Sequence, residues 1–161
     1  MRFSWLLAGL LAALPLTAQS AKSKSGLPNP SKKDVPYLVH ASSLLETESN
    51  EAKDETRKDD QVAAVPGAAS PVRTPLAGPE FLLDSESLAP DKLRLYKMES
   101  KNGRREVILL RKKRPVAKPV LLSVFRVHDK TFKIRVDESL ESGEYCLSPE
   151  GANAVFCFAV E

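Results

Sequence analysis

SVFRVHDKTFKIRV, residues 123–136, alternates apolar and polar side chains on both sides of an Asp129-Lys130 turn. A period of two marks a strand with one face buried, and two such runs about a short turn make an antiparallel hairpin. The turn predicts that Val127 faces Phe132, Phe125 faces Ile134 and Ser123 faces Val136 on the side entering the core. The opposite side carries Val124, Arg126 and His128 against Thr131, Lys133 and Arg135, and is mostly basic. Like charges directly opposed across a strand pair are unfavourable by a few tenths of a kcal/mol, about 0.2 to 1 at most. This face is therefore expected either to lie under acids such as Glu48, Asp54 or Asp60, or to serve as an anion-binding surface.

Working outward toward the C-terminus, a second ribbon runs through 145–158 about a loop centred on Gly151-Ala152. In that register Leu147 faces Phe156 and Tyr145 faces Phe158, both pairs inward, and Cys146 faces Cys157 on the outer surface. Directly opposed strand positions lie within disulfide reach, so a Cys146–Cys157 bond is expected in an oxidising compartment, with two free thiols as the alternative. A metal site is not expected, because two cysteines lack the further Cys or His ligands that zinc requires. The stretch LESGEYCL, residues 140–147, resembles the L-x-x-G-x-Y entry to the penultimate strand of immunoglobulin-like and fibronectin-like β-sandwiches, with Leu140, Gly143 and Tyr145 in the matching places. That resemblance covers about ten residues and implies a tyrosine hydroxyl bonded back to nearby backbone. A hairpin carrying Gly-x-Tyr by chance is the competing explanation.

Upstream, residues 93–98 and 107–111 flank Lys101-Asn102-Gly103-Arg104, a hairpin signal. A two-residue Asn-Gly loop would oppose Glu99 to Glu106, whereas a three-residue loop opposes Glu99 to Arg105 and Leu95 to Leu109, so charge favours the three-residue loop. Four prolines and two glycines between 66 and 79 exclude a helix and restrict any strand to an edge. Phe81-Leu82-Leu83 and Tyr37-Leu38-Val39-His40 read as short buried strands. Residues 46–61 have almost no apolar content and read as a mobile charged loop, a helix being disfavoured for want of an apolar stripe.

The N-terminal MRFSWLLAGLLAALPLTAQS has a basic Arg2, an apolar run over 6–14, a break at Pro15 and small or neutral residues at 16–18. This reads as a secretory signal peptide, 1–18, followed by a disordered Lys/Ser/Pro-rich leader, 19–35, and a β-sandwich domain, 36–161. The competing reading is an uncleaved anchor, but the run falls short of the ~20 residues that span a bilayer. Export makes the protein periplasmic or extracellular, removes its only tryptophan, Trp5, and lowers the formal charge from +3 to about +2 through loss of Arg2. What remains is two-sided: acids predominate over 46–60, while 101–118 holds eight bases against Glu106 alone.

The sequence carries no recognisable catalytic signature. His40 and His128 stand without an adjacent nucleophile or carboxylate, and neither G-x-S-x-G, S-x-x-K nor a glycine-rich phosphate loop occurs. No cofactor is implied. Arg111-Lys112-Lys113-Arg114, with Arg126, Lys133 and Arg135, forms the candidate surface for an anionic envelope component or another envelope protein; behind a signal peptide, nucleic acid is not an expected partner. The bland alternative for the 111–114 cluster is a solvated loop that discourages edge aggregation. Taken with the overall layout, the chain resembles exported bacterial proteins of unassigned role with an immunoglobulin-like domain. The fold class expected is an all-β antiparallel sandwich, with a partly open barrel as the structural alternative. The function expected is non-enzymatic binding or scaffolding, with a small exported hydrolase as the runner-up.

Overall fold

In a computed structural model residues 26–161 are described. The expected signal peptide and the first residues of the leader lie outside them. The chain opens with a hairpin of β1 (Pro36–His40) and β2 (Ser43–Glu46), and continues through β3 (Glu48–Glu51), β4 (Lys53–Arg57) and β5 (Asp60–Pro66). The proline-rich stretch contributes only β6 (Arg73–Thr74), and β7 (Glu80–Asp84) follows. After a single 3₁₀ turn come β8 (Leu93–Lys101), β9 (Arg104–Arg111), β10 (Arg114–Pro115), β11 (Leu122–His128), β12 (Thr131–Val136), β13 (Gly143–Pro149) and β14 (Ala154–Val160). Among the described residues no helix is long and apolar enough to cross a membrane.

Two sheets pack together, as the all-β expectation requires. One has the order β11-β12-β7-β1-β2; the other runs β3-β14-β13-β8-β9-β5-β4, with β10 and β6 added at its margins. Their facing sides meet in a core that joins Leu38, Phe81, Leu83 and Ile134 of the first sheet to Leu95, Leu147, Phe156 and Phe158 of the second. Phe81 and Phe158 meet edge-on with ring centroids 5.1 Å apart, and Tyr145 stacks on Phe158 at 5.8 Å. Aromatic pairs of this geometry add about 0.5 to 1.5 kcal/mol beyond the area they bury.

The larger sheet closes on itself. β3 forms one of its edges and β4 the other, yet only Ala52 separates them in the chain, so the two edges are held side by side. The ring has a second, separate interior lined by Val65, Met98, Cys146, Val155 and Cys157. β13, β14 and β8 thus bury both faces, with alternate residues directed to the inter-sheet core and to the ring.

Four expectations need correction. The acidic 46–61 stretch is not a mobile loop: it is β3, β4 and the start of β5, and it links the sheets, crossing between them at buried Thr47, whose hydroxyl donates to the Pro36 carbonyl at 2.7 Å. The Asn102-Gly103 loop has two residues, both with left-handed backbone (φ 53° and 74°), and Glu99 does stand opposite Glu106. The β11–β12 register slips by one residue at a bulge between Arg126 and His128, so Val124 faces Ile134 and Leu122 faces Val136. In consequence Phe125 and Val127 lie outside, each 46% exposed. The C-terminal register is the expected one, Leu147 to Phe156, Tyr145 to Phe158 and Cys146 to Cys157, and the cysteines form a disulfide. That bond is buried inside the ring, not displayed on an outer surface.

Order also begins before residue 36. Asp34, with left-handed backbone (φ 58°), accepts hydrogen bonds from the N–H groups of Glu86, Ser87 and Leu88 and from the Ser87 hydroxyl. Partial burial pushes its carboxyl up, but the Ser87 hydroxyl and the three N–H donors outweigh that and leave it at about 2, against an ordinary 3.8. A depressed carboxylate contributes stability that is fully present above its unfolded value and is lost as pH falls through its folded one. Asp34→Asn, which tolerates the same backbone conformation, is expected to lower stability by about 1 to 2 kcal/mol at neutral pH, allowing for the site's partial exposure. Urea titrations repeated from pH 5 downward check this: the gap between wild type and variant should shrink through the window from about 4 to about 2.

Candidate functional site

The basic residues singled out from the sequence do not form one surface. Arg111, Lys112, Lys113 and Arg114 make the tip of the β9–β10 hairpin at the margin of the closed sheet, whereas Arg126, Lys133 and Arg135 belong to the other sheet. The second group is engaged. Arg126 stands opposite Phe132, not Lys133, and its guanidinium lies 5.2 Å from that ring; Arg135 lies 5.1 Å from the Phe125 ring and 3.4 Å from Asp137; Lys133 pairs with Glu80 at 2.7 Å. The expected like-charge pair is absent because the bulge removes it. Nor does the acidic stretch cover this face: Glu48 pairs with Arg105, and Asp60 with Arg111.

The tip is different. All four of its bases are exposed, and only Arg111 has an ion pair among the described residues, a long 3.4 Å contact with Asp60. Lys112 and Lys113 both adopt left-handed backbone (φ 49° and 63°), the conformation that Asn102-Gly103 supplies in the preceding hairpin. For a residue with an ordinary side chain this conformation is unfavourable by about 1 to 2 kcal/mol. The Lys112 N–H donates to the Asp59 carbonyl at 2.9 Å, which docks this tip against the β4–β5 turn and its exposed Lys58. Exposed Val116 lies beside Arg114 and contributes apolar surface.

Inside the closed sheet sits a group the sequence did not point to. Arg105 is fully buried, and its guanidinium meets both carboxylate oxygens of Glu48 (2.7 and 2.9 Å) and the carbonyls of Pro66 and Gly67 (2.8 and 3.0 Å), with Glu144 at 3.6 Å. Burial pushes the Glu48 carboxyl up, but hydrogen bonds from Arg105, Asn50 and Ser70 outweigh it and hold the group below the usual carboxylate range. These residues plug one end of the ring. The signal for them was an arginine in phase with Val107 and Leu109 on an otherwise apolar strand face.

The other end is open. β8 and β9 pair only over 99–101 with 104–106, and beyond that they part. A cavity of about 400 Å³ enters there, lined by Val65, Tyr96, Met98, Val107, Leu109 and Val155, with Cys146 of the disulfide in its wall. At its mouth Arg94 and Glu150 pair at 2.5 Å, while Asp54 is exposed and has no ion pair among the described residues. His40 ends β1 and His128 sits at the β11–β12 turn, 3.3 Å from Asp129; neither lines this cavity.

Tyr145 donates its hydroxyl to the Glu141 carbonyl at 2.9 Å, and Leu140 is buried beneath it. Gly143 has φ 153°, and a Cβ there would come within 3.3 Å of the Lys97 side chain. Comparison with protein-family models, curated proteins and solved structures returns no match, so the functional reading rests on this geometry.

Proposed function

We propose that the protein is an exported, non-enzymatic binding module that docks on an anionic lipid surface through the 111–114 tip. The observation that carries this is the placement of two lysines at the strained left-handed positions of an exposed turn, where they have no ion pair among the described residues. Lysine side chains that make no ion pair among the described residues, at turn positions where Asn or Gly is usual, motivate a role in binding. Lys58, Lys112, Lys113 and Arg114 project from neighbouring tips, exposed Asp59 beside them offsets one of these charges, and each base near an anionic bilayer contributes about 1 kcal/mol, so the net attraction is about 3 kcal/mol and salt-sensitive. Val116 adds an apolar contact. The buried disulfide supports export, since such bonds persist in oxidising compartments. The Tyr145 hydroxyl bond supports an immunoglobulin-like reading of the core between the two sheets, to which β9, β5 and β4 are an addition that closes the larger sheet.

The test is sedimentation of the mature chain with vesicles of phosphatidylglycerol mixed with phosphatidylcholine, against phosphatidylcholine alone. Binding is expected only to the anionic vesicles, falling steeply as salt rises toward about 0.15 M. The pair Lys112→Glu and Lys113→Glu should abolish it, while Arg126→Glu and Arg135→Glu together should leave most of it. No binding at low salt, or equal loss from the two pairs, would remove the tip from its role.

A further inference from the structure

We propose that the open end of the closed sheet is a binding site for a small amphiphile with an apolar body and a cationic, hydrogen-bond-donating head. It does not rest on the lipid-docking tip, whose residues 111–114 do not line this cavity although they continue β9 beyond Leu109. Three observations lead to it.

The ring is filled unequally. At the plugged end the Arg105 side chain is fully buried and hydrogen-bonded among its partners, whereas at the open end Tyr96, Val107 and Leu109 direct apolar side chains inward and stay only partly buried. Interior strand positions normally pack to the density of an organic crystal, so apolar side chains facing unfilled space mark a missing occupant.

The size fits a small molecule. Dividing 400 Å³ by the roughly 30 Å³ that a water occupies in the liquid gives room for about thirteen non-hydrogen atoms. Met98, flexible and polarisable, forms part of the wall and can adjust to chains or rings of different outline.

The mouth selects the head group. Arg94 and Glu150 neutralise each other, which leaves Asp54 as the charge that faces the entrance without a partner among the described residues. A carboxylate at the rim attracts an ammonium or a hydroxyl and repels a carboxylate. Primary alkyl amines therefore fit, and fatty acids of the same length do not.

The experiment uses the disulfide-bonded mature chain with octylamine, octanol and octanoate, each below its aggregation limit, read by calorimetry and by the Met98 Cε methyl resonance. Octylamine is expected to bind and to shift that resonance, with octanol weaker and octanoate at least tenfold weaker than octylamine. Asp54→Asn should bring octylamine down to the octanol level while leaving octanol unchanged. Ala63→Leu, which fills the cavity from β5, should remove binding of all three, with circular dichroism confirming that the chain is folded. Octanoate binding as tightly as octylamine would overturn the head-group assignment. Heat without any change at Met98 would place binding elsewhere, and no binding by any of the three would overturn the site.

Discussion

Replacing Arg105 by methionine is expected to lower the free energy of unfolding by about 3 to 5 kcal/mol, the range seen when one member of a buried ion pair is removed. That is a large fraction of the roughly 5 to 15 kcal/mol that holds a typical domain together. The reason lies in what is left behind. Glu48 would keep its carboxylate inside the ring without its guanidinium, and the carbonyls of Pro66 and Gly67 would each lose a donor. Arg105→Lys should do only partly better, because an ammonium cannot meet both oxygens of Glu48 and two carbonyls at once. Adding Glu48→Leu to Arg105→Met should recover most of the loss, since an apolar pair of similar volume often matches a buried ion pair, but about 1 to 2 kcal/mol should remain for the unpaired carbonyls. Urea unfolding of the four chains measures each of these. The pH dependence supplies a second check: Glu48 is held below its ordinary value, so the wild type loses this contribution as pH falls from that value, and Arg105→Met should show no such loss. A loss below about 1 kcal/mol for Arg105→Met would mean that the plug does not close the ring.

The same pair explains why part of the fold was hidden in the sequence. Strands are recognised by an alternation of apolar and polar side chains, and β3 has none, because its inward positions are Glu48, which pairs with an arginine from a distant strand, and Asn50, which donates to Glu48. The stretch looked like solvated loop for that reason alone. The Asn102-Gly103 hairpin departs from its expected loop for a related cause: Glu106 opposite Glu99 is repulsive in sequence, but Arg57 from β4 meets Glu106 at 2.5 and 3.0 Å, with Arg104 at 3.4 Å. The β11–β12 turn lies at Asp129-Lys130 as the alternation expects, and the strand faces beyond it are exchanged, since a single bulged residue swaps the two faces of a strand. Stacking of Arg126 on Phe132 and of Arg135 on Phe125 accompanies the shifted register, and nothing in a two-residue alternation encodes it. The C-terminal hairpin was legible because two inward apolar pairs and one cysteine pair demand the same register. Of the candidate sites, the 111–114 tip could be read from composition; the cavity could not, because it exists only once the sheet's two edges meet at Ala52.

Joint replacement of Cys146 and Cys157 by alanine is expected to destabilise the protein by about 3 to 4 kcal/mol, lowering the thermal midpoint by about 10 °C for a chain of this size. Two contributions combine. The bond closes a short loop, with the cysteines 11 residues apart, and removing such a cross-link restores entropy to the unfolded chain worth about 3 kcal/mol on the loop-closure model. The remainder comes from packing: both sulfurs lie in the ring interior with Val65, Met98 and Val155, and their loss enlarges the space there. Reducing the wild-type protein separates the two, because reduction removes the cross-link and leaves the sulfur atoms in place. Reduced wild type should therefore be about 1 kcal/mol more stable than the double alanine variant. Reduction itself should be slow under native conditions, since Cys157 is fully buried and Cys146 nearly so, and should accelerate in proportion to the opened population as urea is added. Equal stability of the reduced protein and the double variant would show that the ring interior collapses around the missing sulfurs. A midpoint unchanged by either treatment would show that the β13–β14 ladder alone holds the hairpin, and that the bond adds nothing to the closed sheet.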